Sequence, residues 1–450
     1  MKLGTALRLR PGQVVAFVGG GGKTSAMFQL AAELAPTLRV LTTTSTRIFA
    51  AQISRAPAHV TFDSTTQSLP DILPLLEAAL ARHGQVLLVG QADAASGKAF
   101  GVPPYVVDQL AQTGRFDVIL NEADGSRMRP FKAPAGHEPV IPAATTLVVP
   151  VVGLDVLGQP LTDETVHRAE LVSRLSGTPP GATITAQTVV AVLGHPQGGL
   201  KNAPPQARVV PLLNKAETAD RRAAALQISD ALLANPAIDE VLTGSLQQHG
   251  IEQVAGRVAV VILAAGGSSR FGSAKQLARW GNTTFIERAA DTALQAAVDA
   301  VVVVLGAKAG ACRRALGNRP LQIVENPNWA QGQSGSMRAG LDALPAHTSA
   351  ALFLLADQPA IEPDILAALI ERHRRTLAPV IWPEFQGRRG NPVLFDRRLF
   401  AALRQVQGDT GGRPVLEAYQ AEAERVPVNS PAILLDVDRP EDIGGGENEP

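Results

Sequence analysis

The chain has almost nothing to staple or anchor it. Of its 450 residues only Cys312 is a cysteine. That excludes an intrachain disulfide framework and a cysteine-cluster metal site, and it fits a reducing compartment. Neither sign of charge is in excess: 41 lysines and arginines meet 41 aspartates and glutamates, for a formal net charge of +0. This gives no support to a basic nucleic-acid protein or to an acidic tail. No uninterrupted apolar run reaches the roughly 20 residues of a membrane helix. The opening MKLGTALRLRPGQ has cations but no apolar signal core behind them. The expectation is a soluble, cytoplasmic protein with neither a membrane nor a nucleic acid as partner.

What is present is core-forming material. Hydrophobic residues make up 45% and charged residues 18%, and the length suits two or three domains. Short apolar runs alternate with helical patterns throughout, which predicts an α/β fold. Strands are expected at Val14–Gly19, Val40–Thr43, Val86–Val89, Val118–Glu122, Leu147–Val152, Val189–Leu193 and Val209–Asn214. A helix at Ala219–Leu233 and a short strand at Glu240–Thr243 follow. The polar stretch 247–256 reads as a linker between a domain over 1–246 and a second over 257–443. The second domain should have strands at Val258–Ala264, Ala300–Leu305, Leu321–Glu325, Ala350–Ala356 and Val380–Pro383. Its helices should include Phe285–Ala296, Ser336–Leu344 and Pro363–Arg375. Residues 444–450, ending GGGENEP, have nothing to pack and read as a disordered tail.

The first domain opens with VVAFVGGGGKTS at Val14–Ser25. A strand, four glycines, Lys23-Thr24 and a helical pattern form the recipe of a phosphate loop. Backbone N–H groups of Gly20, Gly21 and Gly22 face phosphates, Lys23 meets the β- and γ-phosphates, and the Thr24 hydroxyl ligates Mg²⁺. Phe17 stands where the strict motif has its first glycine. The strand DVILNEADG ends in Glu122 and Asp124, candidates for holding Mg²⁺ or its water. LLNKAE at Leu212–Glu217 resembles the NKxD guanine-reading motif, with Glu217 in place of the aspartate; a plain loop after a strand is an equal reading. TTTSTR at Thr42–Arg47 ends another strand and could face the γ-phosphate.

The second domain opens with VILAAGGSSRFGSAK. A buried strand runs into Ala264, Ala265, Gly266 and Gly267, then Ser268, Ser269, Arg270 and Lys275. Small residues and two cations suit a nucleoside triphosphate, whose departing pyrophosphate Arg270 and Lys275 can stabilise. Gly332–Ser336, including Gly335, reads as a small polar loop before a helix. LFLLADQP ends a strand in Asp357, with no cation beside it in the sequence, and that carboxylate suits Mg²⁺. A strand LLDVD would bring Asp436 and Asp438 to the same ion. QGRRGNPVLF and GDTGGR supply Arg389, Gly390, Asn391 and further arginine for an anionic second substrate.

Two resemblances rest on these strings. GGGGKT, EADGSR…KAP…HEPVIP, VHRAEL and LLNKAE are similar to the YqeC-type accessory family, over roughly Gly12–Gly244. That family is associated with selenium-dependent molybdenum hydroxylases. The resemblance implies a maturation role with ATP or GTP bound on a P-loop NTPase-like domain. LAAGGSSRFGSAKQL, NPNWAQGQSGSMRAGL, LADQP, GRRGNPVLF, GDTGGR and DVDRPED resemble the molybdenum cofactor cytidylyltransferases of the MocA family, over Val258–Ile443. That resemblance implies a Rossmann-like nucleotidyltransferase joining CTP to Mo-molybdopterin, releasing pyrophosphate. It implies that Gly266, Ser268, Arg270 and Lys275 bind the triphosphate. It places Mg²⁺ on Asp357 and Asp438, with Asp436 as a further candidate, and puts Arg389, Gly390 and Asn391 near the pterin. Guanylyltransferases carry LAGG where this chain has Ala265, which favours cytidylyl transfer. Phe271 stands where methionine is usual, and Gln333 departs from a loop often written GMGSS. The implied partner is a molybdenum hydroxylase apoenzyme or its chaperone. A transferase using GTP or a sugar phosphate, and a non-catalytic cofactor-carrying chaperone, are the alternative readings.

Overall fold

The computed structural model describes all residues except 94, 96, 268–270, 272–273, 438 and 447–450. The expected ligands Ser268, Arg270 and Asp438, and the end of the tail, therefore lie outside the described residues. The chain forms two compact units, Met1–Ala255 and Gly256–Pro450.

Unit one is built on a parallel sheet. Reading across it, the strands are His59–Thr61, Gln85–Val89, Val40–Thr44, Val118–Glu122, Gln13–Gly19, Leu147–Gly153, the pair Arg208–Val209 and Leu212–Asn214, and Glu240–Ser245. The central strands are buried on both faces and read as unbroken apolar runs, as parallel strands do. After Gln13–Gly19 the chain builds outward to one side. It then returns to lay Val118–Glu122 against one edge of that strand and Leu147–Gly153 against the other. The carboxyl ends of these three strands meet at a topological switch point, where open α/β sheets bind ligands.

One expected strand is a helix. Ala186–Leu193 is α-helical, with the Thr185 hydroxyl accepting from the Thr188 N–H at its start. Val189, Val192 and Leu193 share one helix face and enter a core with Ile228 and Leu232. The β-branched residues are overruled by this cap and by the three- and four-residue spacing. Pro211 splits the run 209–214 into two short strands.

Unit two has a mixed sheet in the order Gln322–Glu325, Ala300–Leu305, Gly250–Ala264, Thr348–Leu355, Val393–Asp396, Val380–Phe385 and Glu424–Pro427. Val393–Asp396 runs antiparallel to both neighbours. The chain again reverses direction across the sheet beside its first strand, between Val258–Ala264 and Thr348–Leu355. The stretch read as a linker is a turn at Ser245–His249 followed by extended chain. Strand Gly250–Ala264 runs through the boundary at Ala255 without interruption. Its polar residues lie on a strand whose other positions are buried, so polarity there marks a half-covered strand.

Two further corrections concern the site. Gln333–Asp342 is helical, so Gly335 and Ser336 sit in a first helical turn. The LLDVD run is no strand: Pro431–Leu434 is a 3₁₀ turn and Leu435–Val437 is irregular. Pro440–Gly446 forms further 3₁₀ turns, where disorder was expected from 444 onward. Cys312 is buried in the unit-two core.

Candidate functional sites

In unit one, strand Gln13–Gly19 delivers its glycine loop to the N-terminus of helix Lys23–Leu34. The loop is too tight for side chains, and the Gly20 and Gly21 N–H groups, expected to face phosphates, instead donate to the carbonyls of Val151 at 2.8 Å and Arg129 at 3.1 Å. A Cβ at Gly21, where φ is +70°, would stand 2.0 Å from the Gly153 nitrogen, and one at Gly20 would stand 2.7 Å from the Arg129 oxygen. Lys23 is buried. Its Nζ donates to the Gly19 carbonyl at 2.5 Å and lies 3.2 Å from Asp124 and 3.8 Å from Glu122. The Thr24 hydroxyl donates to Glu122 Oε2 at 2.8 Å. Burial pushes the Glu122 carboxyl above its usual range, against the pull of Lys23 and the Thr24 hydroxyl. Thr24 and Glu122 therefore put two hard oxygen donors side by side, a set suited to a divalent cation arriving with a triphosphate.

Asp124 was expected near a metal, and the structure commits it elsewhere. Its carboxylate accepts from the Gly19 N–H at 3.0 Å and lies 3.1 Å from Lys132 Nζ. Lys132 and Arg168 each donate to Glu138 Oε2 at 2.6 Å. A chain of alternating charges thus runs Lys23, Asp124, Lys132, Glu138, Arg168. Burial alone would raise the Glu138 carboxyl, but Arg168 and Lys132 overcome it and hold it at about 2. Burial, with Arg168, Lys132 and Arg127 nearby, lowers His167 to about 4.

Asn214 ties the loop to the far edge of the sheet. Its Nδ2 donates to the Gly21 carbonyl at 2.8 Å and its Oδ1 accepts from the Leu246 N–H at 3.1 Å. Lys215 pairs with Asp155 at 2.7 Å, and the Ser245 hydroxyl donates to Glu217 at 3.1 Å. In TTTSTR, the Thr42, Thr43 and Thr44 hydroxyls are spent on the carbonyls of Val86, Leu88 and Glu122. Thr46 and Arg47 instead line a cavity of about 1030 Å³ that also contains Gly21–Ser25, Glu122, Arg168 and Lys215.

In unit two a cavity of about 790 Å³ opens at the sheet's reversal point, lined by Ala264–Gly267, Lys275, Trp329, Ser336, Asp357 and Asp409. Asp357 has a cation after all. Lys275, on a 3₁₀ turn 82 residues earlier, places Nζ 2.9 Å from Asp357 Oδ2. Gln276 holds the glycine loop by donating to the carbonyls of Gly266 at 2.6 Å and Ala264 at 3.2 Å. Gly267 is needed as glycine, because a Cβ would stand 2.6 Å from the Trp329 ring. Ser336 accepts from Asn326 Nδ2 at 3.0 Å. The loop GDTGGR is fastened over the same helix start, with Asp409 accepting from the Gln333 N–H at 3.0 Å.

Asp436 reaches the Asp357 segment. It accepts from Gln358 Nε2 at 2.7 Å, and the Val437 N–H donates to the Asp357 carbonyl at 3.2 Å. Among the described residues no three histidine, cysteine or acidic side chains cluster closely enough to hold a metal unaided. Asp357, on the cavity wall, suits a cation that brings phosphate oxygens with it, whereas Asp436 is exposed, is not among the lining residues and reaches this segment through Gln358. Arg389, Gly390 and Asn391 do not line this cavity. Arg389 is exposed, its guanidinium 5.9 Å from the Trp382 ring. Gly390 packs against Ile433, and the Asn391 N–H donates to the Ile433 carbonyl at 3.1 Å. Phe271 fills an apolar cluster with Phe285 and Val437.

Residue-type reasoning did not single out Lys132, Glu138, Arg168, Asn214, Gln276, Trp329 or Asp409. All of them sit inside strings quoted above; their roles come from partners distant in sequence.

The fold and site define a mixed α/β protein whose C-terminal unit is a nucleotidyltransferase domain, matching the MobA-like NTP transferase domain over residues 260–424. The chain belongs to the YqeC family, whose model matches residues 15–170, and joins it to that transferase domain. It is 35% identical over 237 residues to the uncharacterized protein YqeC of Escherichia coli K12, covering 52% of this chain and 88% of that one. The C-terminal unit is 34% identical to nicotine blue oxidoreductase of Paenarthrobacter nicotinovorans, over 41% of this chain and 93% of that one. It is 28% identical to molybdenum cofactor cytidylyltransferase of Escherichia coli K12, over 41% of this chain and 92% of that one. No described helix is long and apolar enough to cross a membrane.

Proposed function

We propose that the C-terminal unit is a CTP:molybdopterin cytidylyltransferase and that the N-terminal unit binds ATP or GTP on a phosphate loop. The observation that carries the first part is the Lys275–Asp357 pair at the end of the Ala264–Gly267 loop, on the reversal point of the sheet. The terminal phosphate of Mo-molybdopterin would attack the α-phosphorus of CTP, and pyrophosphate would leave. That phosphate is already ionised, so the protein needs no nucleophile and no base. Its task is to position two anions and neutralise charge. Lys275, with Arg270, would face the triphosphate, while Asp357 would orient the Mg²⁺ that accompanies it, with Asp436 behind it through Gln358.

In the N-terminal unit, Lys23 would meet the β- and γ-phosphates, with Thr24 and Glu122 on the metal. The cellular role would be maturation of a molybdenum hydroxylase in the cytoplasm, the apoenzyme or its chaperone receiving the product. A second reading of the C-terminal unit, an oxidoreductase, is favoured by its 34% identity to nicotine blue oxidoreductase. One experiment separates them. The chain is incubated with CTP, GTP or ATP plus Mg²⁺ and Mo-molybdopterin, and the product is identified by mass. A parallel arm tests reduction of nicotine blue with nicotinamide and flavin donors. Cytosine dinucleotide and pyrophosphate are the expected products; dye reduction without nucleotide transfer would replace this reading with the second.

A further inference from the structure

The unit-one cavity is large and its lining is basic. At about 1030 Å³ it sits at the top of the range for small-molecule sites, about 300–1,000 Å³. Seven lysines and arginines line it against three carboxylates. Lys23 belongs to the phosphate loop, and Lys215 is paired with Asp155. The surplus lies elsewhere, on Arg47, Lys98, Arg127, Arg129 and Arg168. Arg168 is anchored by Glu138. Arg47 and Lys98 lie over phenylalanine rings, at 4.6 and 4.9 Å. Arg127 and Arg129 make no ion pair among the described residues.

The backbone gives a second, independent sign. Arg127, Met128, Arg168 and Lys215 all line this cavity and hold φ between 50° and 66°. Non-glycine residues held left-handed are costly and gather at functional sites. Here they hold two arginines on the cavity wall.

We infer that this cavity binds two ligands at once: a nucleotide on the phosphate loop, and a small oxyanion-bearing molecule on the wall formed by Arg127, Arg129 and Arg168. The inference rests on the phosphate-loop reading and adds a second substrate position to it. A phosphate or carboxylate group on that molecule would supply the charge that Arg127 and Arg129 lack. Arg168 can offer a planar fork while Glu138 fixes its orientation.

The test uses the full chain and inorganic phosphate as probe. The protein is first saturated with the Mg²⁺ complex of a β,γ-imido nucleotide, ATP- or GTP-derived, and phosphate is then titrated in by calorimetry at constant ionic strength. A saturable phosphate site in unit one is expected with the nucleotide still bound, read as the binding lost in the double-arginine variant, since the proposed triphosphate site of unit two can hold phosphate as well. The Arg127→Ala/Arg129→Ala variant should weaken it at least tenfold; Arg127 is exposed, and circular dichroism checks the fold. Phosphate that only displaces the nucleotide, shows no saturation, or binds the variant as tightly would overturn the second site. Failure of the nucleotide itself to bind, or Lys23→Ala binding it as tightly, would overturn the phosphate-loop reading and this inference with it. The two failures are told apart by the nucleotide titration alone.

Discussion

His167 and Glu138 sit among the same cations, their titrations are pushed the same way, and each costs the folded chain stability as pH falls, over different windows. Burial and neighbouring cations keep His167 neutral down to about pH 4. Over the window from its ordinary 6.5 down to 4, only the unfolded chain takes the proton, so this group subtracts stability as pH falls. Glu138, held at about 2, adds stability that is complete above its ordinary 4.5 and is lost as pH falls towards 2. NMR titration should show the His167 resonance, assigned by its loss in His167→Gln, silent between pH 5.5 and 8. Denaturant titration should find Glu138→Gln less stable at pH 7 by about 1 to 3 kcal/mol, the lower figure allowing for solvent screening. The difference should vanish towards pH 2. In unit two the proposed chemistry turns on Asp357. Asp357→Asn should leave the fold intact and cut cytidylyl transfer by roughly 10²–10³-fold, as removal of one well-placed electrostatic group does. Pyrophosphate release at saturating Mg²⁺ measures it, and near-normal turnover would remove Asp357 from the proposed chemistry.

At the scale of elements, the glycine loop of unit two and the 3₁₀ turn Trp329–Gln331 define each other's position. Gly267→Ala would drive a methyl into the Trp329 ring. The expected result is a folded protein with altered tryptophan fluorescence and at least tenfold weaker CTP binding. Adding Trp329→Ala should recover part of that binding, which equilibrium dialysis with labelled CTP would read. Elements were legible where an apolar run was bounded by turn residues: Val118–Glu122, Ala300–Leu305 and helix Ala219–Leu233 fall where the pattern put them. Val189–Leu193 was misread because its β-branched residues suit a strand locally, while Thr185 caps a helix there. The boundary between the units falls inside the stretch 247–256, but polarity alone did not report that GIEQVAG is strand. The glycine loops and acidic strand ends were visible as strings. The partners of Asp124 and Asp357 were not, since the lysine of each pair comes from another segment, 101 residues away for Lys23 and Asp124 and 82 for Lys275 and Asp357. Nothing in local spacing reports such a meeting.

For the whole molecule the question is whether the two proposed nucleotide sites on one chain depend on each other. Each unit has its own buried clusters, Val14, Leu41 and Ile119 among one and Val260, Val303 and Leu352 among another. That supports separable function. Lys23→Ala should abolish nucleotide binding to the phosphate loop and leave CTP-dependent pyrophosphate release within twofold of normal. A release assay on the full chain, beside nucleotide-binding calorimetry, measures both. Loss of transfer in that variant would mean that the sites work as one. The lone thiol gives a further handle. Cys312 is buried, and burial pushes its thiol above the usual range, so at neutral pH it is a poor nucleophile towards maleimides. The natural chain is therefore nearly blank to thiol-directed labels. A cysteine placed at exposed Leu75 and another at exposed Gln420 would take a donor and an acceptor dye without first replacing Cys312, and single-molecule energy transfer could follow the two units through a reaction cycle.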